Sequence, residues 1–294
     1  MNTAGAERVI GVIGGSGLYD IEGFTDARWV AVDSPFGAPS DEFRVGAIGG
    51  QKVVFLPRHG RGHRLGPSDI NFRANIDAMK RLGVTDLISV SAVGSLKEEL
   101  APGTFVLVDQ FVDRTFARAK SFFGTGLVAH VSMAEPVCDL MGALIAQSAA
   151  RLGMALRRGG GYLAMEGPQF SSRAESMLYR SWSCDVIGMT NMPEAKLARE
   201  AEICYATIAM VTDYDCWREG HDAVTVDQVI KVLHANAAKA RALVQDVAPA
   251  LGARARPCAR GCDRALEHAV ITAPEARDAA MTAKLGAVAG RVLG

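Results

Sequence analysis

Apolar positions along the chain recur in two rhythms. Short continuous runs that end in Gly, Pro or Ser read as buried strands. ERVIGVIGG, WVAVDSPFG, FRVGAIG, QKVVFL, DLISVSAVGS, TFVLVDQFVD, GGGYLAMEGP, CDVIGMT and ICYATIAMVTD are of this kind. FRVGAIG and QKVVFL form a hairpin pattern that turns at Gly49 and Gly50. Between the runs, apolar residues return at helical spacing. Pro67 to Leu82 is one such stretch, with Ser68 or Asp69 as the start cap and Gly83 as the stop. Ala134 to Leu152, SSRAESMLYRSW, PEAKLAREAE with Pro193 in its first turn, and Val224 to Leu251 are others. A basic loop, GARARPCARGCDR, precedes a final helix of roughly fifteen residues from Pro274. Strands alternating with helices predict an α/β fold. We expect a single domain over 1–294, with a mixed, largely parallel central sheet and helices on both faces. Its body spans about 8–250, and 251–294 is a helical extension.

Composition narrows the class without naming an activity. The 294 residues are 49% hydrophobic and 22% charged, ordinary for a globular chain that can bury a sizeable core. Lys+Arg and Asp+Glu both number 32, so no net field favours nucleic acid or anionic lipid. No apolar run reaches the ~18 residues of a membrane span. The N-terminus lacks the basic-then-apolar design of a secretory signal, and a cytoplasmic location is expected. Six cysteines are present. Cys138, Cys184, Cys204 and Cys216 are widely spread and read as buried thiols. Cys258 and Cys262 form a Cys-x3-Cys pair, half of a tetrahedral zinc set, with His268 as a third candidate. With no second cysteine pair nearby, no metal site is expected; the two read as a local redox pair or as plain thiols on a C-terminal loop.

Five segments at strand ends offer chemistry. Gly14-Gly15-Ser16-Gly17 follows a strand and can form an anion-binding nest or a plain tight turn. It matches neither a Walker loop nor GxGxxG. Arg58-His59 ends QKVVFL, with a charged fork suited to phosphate. Ser91 lies where DLISV runs out, Met189-Thr190 ends CDVIGMT, and Thr212 to Trp217 ends ICYATIAMV. Ligands of open α/β sheets bind outside the carboxyl ends of strands. Ser16, Arg58, Ser91 and Thr190 suit an oxyanion. Asp213 and Asp215 would repel one and should serve another part of the substrate, or merely cap the next helix.

VIGGSGLYD, FLPRHGRGH, SAVGSLKEEL, VDQFVDRT, EGPQFSSRAES and IAMVTDYDCW together resemble the trimeric purine nucleoside phosphorylase family, over roughly residues 8 to 250. The nearest branch is the one that cleaves 5′-methylthioadenosine. The resemblance implies phosphorolysis of that nucleoside to adenine and 5-methylthioribose 1-phosphate. It implies a homotrimer, with phosphate as co-substrate and no cofactor. It places Ser16, Arg58, His59, Ser91, Ala92 and Thr190 around phosphate, Ala92 through its backbone N–H. Met189 would pack on ribose, Phe170 would stack on the purine, and Asp213 and Asp215 would address the base. Val226, Val229 and Ile230 would line the 5′-methylthio pocket, although the same spacing also fits plain core. His130 would reach a neighbouring subunit's site. Gly188 departs from the pattern, which carries a polar side chain there. Ser16 and Ser91 keep a hydroxyl where threonine is common.

The chemistry sharpens the acid's role. As the C1′–N9 bond lengthens, the sugar becomes cationic and the purine electron-rich. Phosphate is the positioned nucleophile, and Asp213 is the candidate general acid at N7. Burial, with Asp215 close by, is expected to raise its pKa. A protonated carboxyl matches the N6 donor and N7 acceptor of adenine, whereas a 6-oxopurine presents two acceptors. Alternatives are a related phosphorylase acting on 5′-methylthioinosine or adenosine, a hydrolase, and a non-catalytic nucleoside-binding protein.

Overall fold

The computed structural model describes residues 7–15, 18, 21–218 and 226–294, and of 226–231 the backbone only. Eleven strands form one mixed sheet. They are β1 (Ile10–Gly14), β2 (Phe24–Val30), β3 (Phe43–Ile48), β4 (Gln51–Pro57), β5 (Asp86–Ser95), β6 (Phe105–Val108), β7 (Gln110–Asp113), β8 (Leu156–Arg158), β9 (Gly161–Ala164), β10 (Val186–Gly188) and β11 (Cys204–Asp213). The helices are α1 (Phe72–Arg81), α2 (Asp139–Arg151), α3 (Arg173–Ser181), α4 (Asn191–Glu200), α5 (Val226–Gly252), α6 (Ala279–Lys284) and α7 (Gly286–Leu293).

The sheet is organised around β5, which pairs in parallel with β1 and β11 and antiparallel with β10. β1 also runs parallel to β4. The carboxyl ends of β1, β4, β5 and β11 therefore point the same way. Alternate residues of these strands enter two apolar clusters: Ile13, Val54, Leu56 and Leu87 in one, Ile10, Val53, Phe55 and Ile88 in the other. This is the period of two that a strand buried on both faces must show. Ala74 of α1 and Ala195 of α4 join the first cluster, Met141 of α2 and Leu243 of α5 the second. Leu266, Ala269, Leu285 and Val288, from beyond α5, also enter the first.

Several sequence expectations shift. Asn71, not Ser68 or Asp69, caps α1, its side chain accepting from the Ala74 N–H. TFVLVDQFVD is two strands rather than one, because Asp109 leaves the ladder and β6 and β7 pair with different partners. The strand near WVAVDSPFG begins earlier, at Phe24, and ends at Val30. β8 carried no pattern long enough to be read. The final helix is broken into α6 and α7, with Leu285 as the shared cap. The β3–β4 hairpin turns at Gly49 and Gly50, both with positive φ, as expected. α4 contains an extended Met192, so regular helix starts only after it, at Pro193.

Candidate active site

β5 carries both halves of the site. Ser91 faces Asn191, its hydroxyl donating to Oδ1 at 3.0 Å, and Thr190 donates to the same oxygen at 3.3 Å. Ser91 from β5 and Thr190 from the end of β10 are thus held against one amide. Asn191 in turn donates to Tyr205 Oη at 3.0 Å, to Ser89 Oγ at 3.3 Å and to Thr207 Oγ1. Ala92 is half-buried beside Ser91. Ser16 lies outside the described residues, but the strand leading to it is fixed here. The Arg58 N–H donates to the Gly14 carbonyl at 2.9 Å.

Arg58 differs from the expectation of a fork turned toward phosphate. Its side chain is 1% exposed and grips Glu194, Nε to Oε2 at 2.9 Å and Nη2 to Oε1 at 3.1 Å. Nη1 donates to the Val90 carbonyl at 3.0 Å, and Nη2 also to Ser89 Oγ at 2.6 Å and the Ile13 carbonyl at 3.2 Å. Burial works against the guanidinium charge, but Glu194 overcomes it and raises the pKa above its ordinary value. The pair is neutral as a unit and braces the ends of β1 and β5.

His59 is neutral near pH 7. Burial drives its pKa down to about 4, and the neighbouring Arg58 and His63 charges add to the fall. Its ring stacks on His63 at 4.2 Å. Nδ1 lies 2.9 Å from the Leu65 carbonyl, an acceptor only, which assigns the ring proton to Nδ1 and leaves Nε2 with a lone pair.

The acid pair sits at the last residues of β11. The β5–β11 register shifts between Val211 and Asp213, and Asp213 comes opposite Gly94. Such a bulge re-aims the side chain next to it. A Cβ on Gly94 would lie 3.0 Å from Asp213 Oδ1 and 3.3 Å from Asp215 Cβ, so glycine makes room for both acids. Thr212 Oγ1 donates to Asp213 Oδ2 at 2.7 Å and the Asp215 N–H to Oδ1 at 2.8 Å. Burial raises the Asp213 pKa against both of these bonds. Asp215 was expected to push Asp213 upward by charge; through its N–H it pulls the other way. Burial also raises Asp215, the nearby Ser176 hydroxyl opposes it, and the Asp213 charge adds to the rise. Among the described residues, Asp215 Oδ2 and Ser176 Oγ are buried without a hydrogen-bond partner.

The remaining positions divide. Met189 packs against Gly167, where a Cβ would lie 2.5 Å from its sulfur. Phe170 is 47% exposed, and His130 is exposed. The side chains of Val226, Val229 and Ile230 lie outside the described residues. Gly188 has a local explanation: a Cβ there would lie 2.0 Å from the Tyr162 hydroxyl. Tyr162 itself is fully buried, and its hydroxyl has no hydrogen-bond partner among the described residues. Its pKa is raised by burial, with Thr190 and Ser91 beside it, so it stays a protonated donor. Sequence reasoning missed Tyr162, because a tyrosine in an apolar strand looks like core; the unusual glycine at 188 was its only trace.

Arg118 was missed as well. It donates to the Met189 and Met192 carbonyls, both at 2.7 Å, and to the Glu166 carbonyl at 2.8 Å. One guanidinium thereby joins the Met189–Thr190 turn to the segment leading to Phe170.

A family model described as the phosphorylase superfamily matches residues 9–249. The chain belongs to this superfamily. Among its relatives are proteins named S-methyl-5′-thioadenosine phosphorylase. One, from Bradyrhizobium diazoefficiens, is 62% identical over 98% of this chain and 99% of the relative. Another, from Cereibacter sphaeroides, is 61% identical over 97% and 98%. A crystal structure of a methylthioadenosine phosphorylase from an Antarctic soil metagenomic library superposes with a TM-score of 0.90 at 46% identity, over 96% of this chain and 99% of that one. A methylthioadenosine phosphorylase from Schistosoma mansoni in complex with adenine gives 0.83 at 34% identity, over 89% and 98%. Among the described residues no helix is long and apolar enough to cross a membrane.

Proposed function

We propose that this chain cleaves 5′-methylthioadenosine by phosphorolysis, giving adenine and 5-methylthioribose 1-phosphate, in methionine and purine salvage. It is then an S-methyl-5′-thioadenosine phosphorylase, a pentosyltransferase, working in the cytoplasm. The observation that carries this reading is the spacing on one strand. Ser91, held with Thr190, lies three residues from Gly94, against which Asp213 sits. Three strand steps are about 10 Å along β5, so the hydroxyl pair and the acid pair sit at the same end of the sheet.

The hydroxyls of Ser16 and Tyr162 and the Ala92 N–H would donate to phosphate, joined by the Ser91 and Thr190 hydroxyls as these turn from Asn191 Oδ1. Neutral His59 would accept the remaining phosphate hydrogen at Nε2. Arg58, its charge balanced by Glu194, would brace the seat from beneath, so the dianion keeps the charge that stabilises a cationic C1′. Phosphate oxygen bonds to C1′ as N9 departs with the bonding pair, and Asp213 passes its proton to N7. Met189 would cover the ribose, Phe170 the purine, and Val226, Val229 and Ile230 the 5′ group. No organic cofactor takes part in these steps. One domain carries the activity as a homotrimer, with exposed His130 completing a neighbour's site.

The test is to supply phosphate with 5′-methylthioadenosine, 5′-methylthioinosine, adenosine and inosine side by side. The first should turn over with the highest kcat/KM. Preference for either 6-oxopurine would overturn the role given to Asp213.

A further inference from the structure

We propose that Cys138, Cys204, Cys258 and Cys262 hold a structural zinc ion in a closed tetrahedral tetrathiolate site. All four are buried, and their sulfurs lie within 4.8 Å of one another. Cys138 and Cys258 Sγ are 3.9 Å apart. Zinc–thiolate bonds of about 2.3 Å give a tetrahedral edge near 3.8 Å. A disulfide would need about 2.05 Å.

The Cys-x3-Cys pair that stands out in the sequence is only half of this set. His268, the third candidate beside Cys258 and Cys262, is exposed and not in the group. The other two ligands come from distant positions: Cys138, the N-cap of α2, and Cys204, the first residue of β11. Cys138 makes no side-chain cap bond, so its sulfur is not committed to the helix.

The Cys-x3-Cys loop is shaped for the purpose. Gly261 turns it in the left-handed region (φ 69°), and its N–H donates to the Cys258 carbonyl at 2.8 Å. The Cys258 N–H donates to Asp263 Oδ2 at 2.8 Å. Charge is provided for as well. Arg254 Nη2 lies 3.4 Å from Cys138 Sγ and 3.5 Å from Cys258 Sγ. Its Nη1 pairs with Asp86, which also holds Arg8 at 2.6 Å. This triad has one positive charge in excess, directed at a site that would carry two negative ones. Binding converts four thiols and Zn2+ into the tetrathiolate and releases four protons.

The site would tie the segment after α5 to α2 and β11, from the start of β11. That is nine strand steps, about 30 Å, from Asp213 at its end. Its role is to hold the fold.

The full chain, purified without chelator, should contain one zinc per chain by elemental analysis. X-ray absorption should show four sulfurs at about 2.3 Å. Removing zinc should lower Tm, and Co2+ in its place should give thiolate charge-transfer absorption. Cys262→Ser should lose both the metal and the cobalt spectrum. If that variant does not fold, the cobalt spectrum of the unaltered chain still decides. Full-length protein with all six thiols titratable and no zinc, or with these four cysteines in disulfides, would overturn the proposal.

Discussion

β5 and β11 run side by side and treat acids in opposite ways at their two ends. At the start, Asp86 lies opposite Cys204 and is 0% exposed. It is gripped by both Arg8 and Arg254. At the finish, Asp213 lies opposite Gly94, half-buried, with Thr212 and a backbone N–H as its partners among the described residues. No basic side chain within ion-pair distance faces Asp213 or Asp215 among the described residues. A buried carboxylate without a cation is costly, and the group answers by holding its proton more tightly. The paired end is therefore built to hold structure, and the unpaired end to move a proton.

The largest effect should come from Asp213→Asn. We expect kcat for 5′-methylthioadenosine to fall by about 10²–10⁴-fold, the range for a general acid, with Tm little changed. Steady-state kinetics and a melting curve separate the two, and an unchanged kcat would remove the acid from the account. At the opposite end, Asp86→Asn should reverse this split. It leaves Arg8 and Arg254 buried with one neutral partner and should cost about 3–5 kcal/mol by denaturant unfolding, with kcat of the folded fraction retained.

Next comes the pH dependence of His59. Its folded pKa of about 4 lies below the ordinary 6.5. Between these values the unfolded chain binds the proton more readily. Stability should therefore fall as pH drops from 6.5 toward 4 and level off below, by up to about 3 kcal/mol from this group. His59→Gln should flatten that part of the curve; an identical curve would contradict the neutral imidazole. The smallest change should follow Tyr162→Phe, which we expect to raise the phosphate KM roughly tenfold. Gly188→Ala should mimic it by displacing the same hydroxyl, and a normal phosphate KM in both would return Tyr162 to the core.

Which of these features the chain discloses follows from how local they are. Strand ends and hydroxyls are local, so Arg58, Ser91, Thr190 and Asp213 could be picked out and their meeting around one sheet anticipated. Pairing between distant residues is not local. Glu194 took the Arg58 fork from a helix start in which only Pro193 stood out. Cys138 lies 120 positions and Cys204 54 positions before Cys258, yet both join the Cys258–Cys262 pair. Tyr162 and Gly188 each looked ordinary or odd alone and make sense only as a pair. The break between α6 and α7 was hidden because Gly286 interrupts an otherwise helical pattern only weakly.

The most direct measurement is adenine release from 5′-methylthioadenosine, with and without inorganic phosphate, with the sugar product identified by mass. A phosphate seat beneath C1′ and an acid at the base together predict that release needs phosphate and yields one 5-methylthioribose 1-phosphate for each adenine. Equal release in phosphate-free buffer, with free 5-methylthioribose as the product, would contradict that account.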